Sequence, residues 1–136
     1  MKKTGGEYMI IGLHHAQLTI PKNAEEEARN FYSEILGLRE KEKPESLKGR
    51  GGFWLEVGDL EVHVGVEDGF DRTQTKAHIA YQVKNLTHWR RILEKNKIII
   101  IESVPIPGYN RFEFRDPFGN RVEMIEWKGN NDRYLV

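Results

Sequence analysis

Four residues of this chain have the types and spacing to do chemistry at one centre: His15, His63, His78 and Glu123. His15 and His78 open similar stretches, His15-Ala16-Gln17-Leu18-Thr19-Ile20 and His78-Ile79-Ala80-Tyr81-Gln82-Val83, 63 positions apart. His63 and Glu123 sit between apolar neighbours, in Val62-His63-Val64 and Val122-Glu123-Met124, 60 positions apart. Successive side chains of an extended segment point to opposite faces, so each of the four stands across the backbone from an apolar face. Imidazole nitrogen and carboxylate oxygen are the ligands divalent metals take where thiolate is missing, and the chain has no cysteine. A lone histidine on a strand is more often a hydrogen-bonded structural residue, and a lone glutamate there more often faces solvent. Four such positions recurring at one period favour a shared metal cup of three histidines and one glutamate. His14 and His88 are read otherwise, as a partly buried or edge residue and a helix-surface residue.

The elements that must position these residues follow from periodicity and turn chemistry. Met9 to Ile20 is rich in β-favouring residues and reads as the first strand, stopped by Pro21. Asn23 is placed to cap a helix over 24–36, with Glu25, Glu26 and Glu27 in its first turn and Ala28, Phe31, Ile35 and Leu36 at helical spacing before Gly37. A weak charged strand, 38–43, and a Gly49-Arg50-Gly51-Gly52 loop lead to a hairpin of 53–57 and 60–66. The charged stretch 67–76 reads as a linker. A strand over 77–83 follows, then a helix over 86–95 capped by Asn85, with Trp89, Ile92 and Leu93 as its apolar stripe. A short strand over 97–102, a rigid loop at Pro105-Ile106-Pro107-Gly108 and a strand over 109–115 lead to the turn Asp116-Pro117-Phe118-Gly119-Asn120. The last strand runs from Arg121 to Trp127 and ends before Gly129.

The order of elements repeats. It predicts an α+β fold of two βαβββ units of about 60 residues each. Module one is 9–66 and module two 77–127, in a single domain over 8–127 with polar tails at 1–7 and 128–136.

Composition bounds the partners. At 136 residues and 38% hydrophobic content, one domain can bury a core without staples. Lys plus Arg and Asp plus Glu are equal at 21 each and dispersed, so the basic stripe of a nucleic-acid binder is missing. No apolar run reaches the length of a membrane span, and Met1-Lys2-Lys3 is followed by polar residues instead of an apolar signal core. The expectation is a soluble, cytoplasmic protein.

Together, the two βαβββ units, His15-Ala16-Gln17-Leu18, Phe31-Tyr32 with Leu36-Gly37-Leu38, His78-Ile79-Ala80 and the run from Asp116 to Glu123 resemble the glyoxalase / bleomycin-resistance / dioxygenase superfamily, the vicinal oxygen chelate fold. The resemblance covers residues 9 to 127. It implies a curved sheet, or cup, completed by a partner subunit in a homodimer, and a small-molecule substrate. It further implies a divalent metal (Zn, Ni, Mn, Co or Fe) on His15, His78 and Glu123, the triad common to the dioxygenases and the fosfomycin-type thiol transferases. The fourth position separates the classes: glyoxalases place Glu there and some epimerases Gln, whereas this chain has His63. With His63 coordinated, about two positions of an octahedron stay open for a substrate chelating through two adjacent oxygens, which is Lewis-acid geometry. Without it, three openings favour dioxygen chemistry. The implied reaction is proton transfer of isomerase or lyase type, with Glu123 moving the proton. Arg50 or Arg111 would clamp a substrate carboxylate or phosphate, Gln17 and Gln82 share the histidine faces, and Trp54 would supply an apolar wall. A thiol transferase, an extradiol-type dioxygenase and a metal-free drug-binding protein of the bleomycin-resistance type are the rival readings.

Overall fold

A computed structural model describes residues 7–129, so most of both expected tails, 1–6 and 130–136, lies outside the described residues. The first sheet holds β1 (His15–Ile20), β2 (Arg39–Lys41), β3 (Phe53–Val57) and β4 (Leu60–Val66) in the order β1-β4-β3-β2. The second holds β5 (His78–Gln82), β6 (Ile101–Glu102), β7 (Tyr109–Arg115) and β8 (Arg121–Trp127) in the order β5-β8-β7-β6. The two orders are the same four-step pattern, with the first strand parallel to the fourth and the remaining pairs antiparallel. The repeat read from the residue pattern is thus a repeat of topology.

Alternation assigns the faces. Leu18, Ile20, Phe53, Leu55, Val62 and Val64 of the first sheet and Phe112, Phe114, Val122 and Met124 of the second are buried in one hydrophobic cluster, with Ala28, Phe31 and Tyr32 packed in from the helix. Burial of such side chains contributes roughly 1.5–3 kcal/mol each and locks the strand register, because a slip of one residue would turn every apolar side chain outward. The opposite face of both sheets therefore carries the polar residues of interest.

Several elements differ from expectation. The first helix is α-helical only over α1 (Glu25–Arg29) and continues as a π-helical stretch, Asn30–Ile35, where Leu36 N–H donates to Phe31 O five residues back at 3.0 Å. Asn23 is not its cap; it holds a left-handed turn at φ +66°, and Ala24 takes the cap position. The second helix, α2 (Leu86–Lys95), is capped by Asn85 as expected, its side chain accepting from His88 N–H at 3.1 Å. Residues 9–14 form no strand: the pairing of β1 with β4 runs out at His14, whose O accepts from Glu61 N–H at 3.4 Å. Of 97–102 only β6 is paired, and the 45–50 segment is a short 3-10 helix, Glu45–Arg50. The 67–76 stretch is anchored: Arg72 in a 3-10 turn is buried and donates through Nε to Thr19 O at 2.9 Å and through Nη2 to Glu67 O.

Candidate metal centre

The first sheet builds one half of the candidate centre on its polar face. Register sets Gln17, His63 and Trp54 side by side across β1, β4 and β3. His63 is only 7% exposed because its ring lies between two others, 4.0 Å from Trp54 and 4.0 Å from His15, nearly parallel to both. His63 Nε2 is 2.9 Å from Glu61 Oε1. The hydrogen bond from His63, and after it that from Lys41, holds the Glu61 carboxyl down to about 2. An ionised carboxylate only accepts, so Nε2 is the donor of this bond. A cavity of about 340 Å³ adjoins this stack, lined by Gln17, Lys43, Leu47, Arg50, Trp54 and His63.

The second sheet builds the other half. His78 Nδ1 lies 2.9 Å from Lys76 O, and a carbonyl can only accept, so Nδ1 is the donor of that bond. Nε2 faces Glu123 Oε1 at 3.1 Å. Glu123 stands in the middle of β8 and is 5% exposed, so the solvent-facing role usual for a strand glutamate does not hold here. Its second oxygen is 3.3 Å from Arg111 Nη1. Arg111 is itself held by Val104 O, to which Nε and Nη2 donate at 2.9 and 2.6 Å. Directly across the hairpin from Glu123 is Glu113, also buried, gripped bidentately by Arg121 at 2.6 and 2.7 Å. That hydrogen bonding holds the Glu113 carboxyl below the usual carboxylate range. Two half-buried guanidiniums and two buried carboxylates thus alternate in one group, which satisfies carboxylates that would otherwise be costly to bury.

The chain therefore brings the expected ligands together in pairs. His15 meets His63, and His78 meets Glu123. Among the described residues no three His, Asp or Glu side chains gather closely enough to hold one ion. Of the expected substrate residues, Gln17, Arg50 and Trp54 border the cavity beside His63, Arg111 borders Glu123, and Gln82 is exposed at the end of β5. His14, read as a partly buried or edge residue, is exposed just before β1, with Nδ1 2.9 Å from His15 Nδ1; His88 is exposed as expected. Glu61, Glu113 and Arg121 were not singled out from the residue pattern. The available signal was alternation, since Glu61 shares a face with His63 and Arg121 with Glu123.

A search of curated protein sequences finds no match. Among solved structures, the chain is similar to a glyoxalase family protein from Bacillus anthracis, with 41% identity over 90% of this chain and 100% of that one and a TM-score of 0.83. It is similar in fold to a glyoxalase/dioxygenase from Nostoc punctiforme, at 19% identity over 93% and 98% of the two chains and a TM-score of 0.73. A variant of the fosfomycin resistance protein FosX from Listeria monocytogenes, in complex with Mn(II) and 1S,2S-dihydroxypropylphosphonic acid, also shares the fold, at 19% identity over 93% and 97% and a TM-score of 0.68. The family model that matches this chain spans residues 12–124, from just before His15 to just past Glu123, and so takes in both sheets and all four candidate ligands. On that match and the 41% identical relative, the chain belongs to the Glyoxalase/Bleomycin resistance protein/Dioxygenase superfamily.

Proposed function

We propose that the protein is a divalent-metal-dependent enzyme of glyoxalase type, catalysing proton transfer, as an isomerase or lyase, on a small substrate held through two adjacent oxygens. In this reading the metal is shared between two copies of the chain, His15 and His63 coming from one and His78 and Glu123 from the other. The observation that carries it is the His78–Glu123 pair. Nδ1 is committed to Lys76 O, which turns Nε2 onto a carboxylate oxygen at 3.1 Å, so that in the neutral ring a nitrogen lone pair and a carboxylate oxygen face one position, as two ligands of one cation would. A histidine that donates one ring nitrogen to a carbonyl or carboxylate and turns the other outward is the usual state of a metal ligand, and His63 on Glu61 has the same form.

When bound, a divalent ion would supply Lewis acidity toward a substrate carbonyl and so acidify the neighbouring C–H. The chain's own residues do the rest. Glu123 accepts the proton, and Arg111 holds its second oxygen in place. Trp54 and the buried face of His63 wall the adjoining cavity. Arg50 and Lys43 make that cavity positive, matching a substrate carboxylate or phosphate, with Gln17 offering an amide beside them.

One observation favours a second reading. The imidazole planes of His15 and His63 are within 13° of parallel, so their nitrogens do not converge on one point. If His63 only supports His15, the ligand set is His15, His78 and Glu123, the set of the thiol transferases and dioxygenases. Elemental analysis of protein purified without chelator or affinity nickel, beside His63→Ala and Glu123→Ala, separates the two. Near-stoichiometric metal lost in both variants is the expected result and directs screening to hemithioacetals and α-oxo thioesters. Metal kept without His63 but lost without Glu123 assigns the three-ligand chemistry, and absence of metal binding in the parent chain leaves a small-molecule binding protein.

A further inference from the structure

Two stretches carry most of the large apolar side chains that the described chain leaves in solvent. One is the arm before β1, where Tyr8, Ile10, Ile11 and Leu13 are 93%, 92%, 97% and 78% exposed. The other is the stretch from just before β6 to the start of β7, with Ile99 81%, Ile101 46%, Val104 77% and Ile106 38% exposed. Exposed apolar surface concentrated in this way marks contact with another molecule. The arm is β-favouring in composition, runs directly into β1, and forms no strand of its own.

The two stretches are linked through the candidate centre. Leu13 is two residues from His15, so its backbone lies within about 8 Å of it. Val104 is one guanidinium away from Glu123, since Arg111 donates to Val104 O at 2.6 Å and reaches Glu123 Oε2 at 3.3 Å. Any arrangement that brings His15 of one copy to Glu123 of another therefore delivers the arm of the first to the rim of the second.

We infer that residues 8–13 of one copy lie along the Val104–Ile106 rim of a second copy, each burying the other's exposed apolar side chains and fixing the two half-centres against one another. This rests on the shared-centre reading, which supplies the second copy as the occupant. A two-fold dimer makes the contact twice, once for each centre.

The chain has no cysteine, so introduced thiols report the contact without background. In the full chain, the double variant Leu13→Cys/Val104→Cys should form a covalent dimer on mild oxidation, visible on non-reducing electrophoresis, while each single variant stays monomeric on the gel. Because the arm side chains are exposed in the lone chain, Ile10→Ser/Ile11→Ser/Leu13→Ser should weaken dimerisation at least tenfold by sedimentation, with the circular dichroism of the folded chain retained. A disulfide closed within one chain, no disulfide, or an unchanged dimer dissociation constant in the triple variant would overturn the inference. Metal content measured on the same samples separates the two proposals. Cross-linking in protein that binds no metal upholds the contact and removes the enzyme reading, whereas metal bound without cross-linking does the reverse.

Discussion

Tyr32 and Tyr81 are both buried phenols, and only one has a partner. Tyr32 Oη donates to Asp116 Oδ2 at 2.6 Å, whereas Tyr81 Oη has no hydrogen bond among the described residues. Burial pushes both hydroxyls up from the ordinary tyrosine range, with the Asp116 charge adding to it. A hydrogen bond to a charged acceptor is worth roughly 1.5–3 kcal/mol, while a buried hydroxyl left unpaired costs the fold stability. Tyr32→Phe should therefore destabilise the protein by about 2 kcal/mol, and Tyr81→Phe should leave it unchanged or stabilise it by up to about 1 kcal/mol. Urea unfolding with an unchanged slope would read both; a larger loss in Tyr81→Phe than in Tyr32→Phe would contradict the assignment. Asp116 also shows where the residue pattern stopped. Its turn role was legible and holds, with Phe118 N–H and Asn120 N–H donating to Oδ1 at 2.9 Å each. Its burial and its bond to a tyrosine 84 positions earlier were not, because nothing local in either segment encodes a contact at that separation.

At the scale of elements, the approach of β3 to β4 depends on Gly52. Its φ is +75°, and a Cβ there would lie 2.0 Å from Val64 O, inside the first sheet. Gly58, in the turn of the same hairpin, also has positive φ, at +58°, but open space around it. Gly58→Ala should cost about 1–2 kcal/mol of conformational strain, and Gly52→Ala at least about 3 kcal/mol, since the strand must move as well. Paired thermal melts would check this, and equal shifts would remove the packing argument. The strands that the residue pattern placed without error, 53–57, 60–66, 109–115 and 121–127, have one buried face and a tight turn at one end. Alternation and turn chemistry both act over a few residues, so they can be read locally. Residues 9–13 and 97–100 share the β-favouring composition but are in no strand ladder, and pairing is a property of the fold. The candidate ligands were legible for the same reason as the strands, through alternation. The buried Glu113 and its partner Arg121 came to light only with the β7–β8 register, and Glu61 with its closeness to His63.

In the whole molecule, one carbonyl joins the two sheets. Thr19 O, near the end of β1, accepts Arg72 Nε and Asn120 Nδ2, each at 2.9 Å, so the connecting segment and the final turn both close on the first strand. The two modules of one chain are held by this junction and a common hydrophobic cluster, while the candidate ligands remain two on one sheet and two on the other. That partition has a genetic consequence. With the centre shared between two copies as proposed, a chain damaged only in its first pair would still lend its second pair to a partner, so two defective proteins would rescue one another. Mixing His15→Ala with Glu123→Ala, unfolded together and refolded, would give mixed dimers in which one centre is doubly broken and the other intact, restoring about a quarter of the metal sites of the parent. Each variant alone would restore none, and failure of the mixture to recover any would place all four ligands in the service of a single chain.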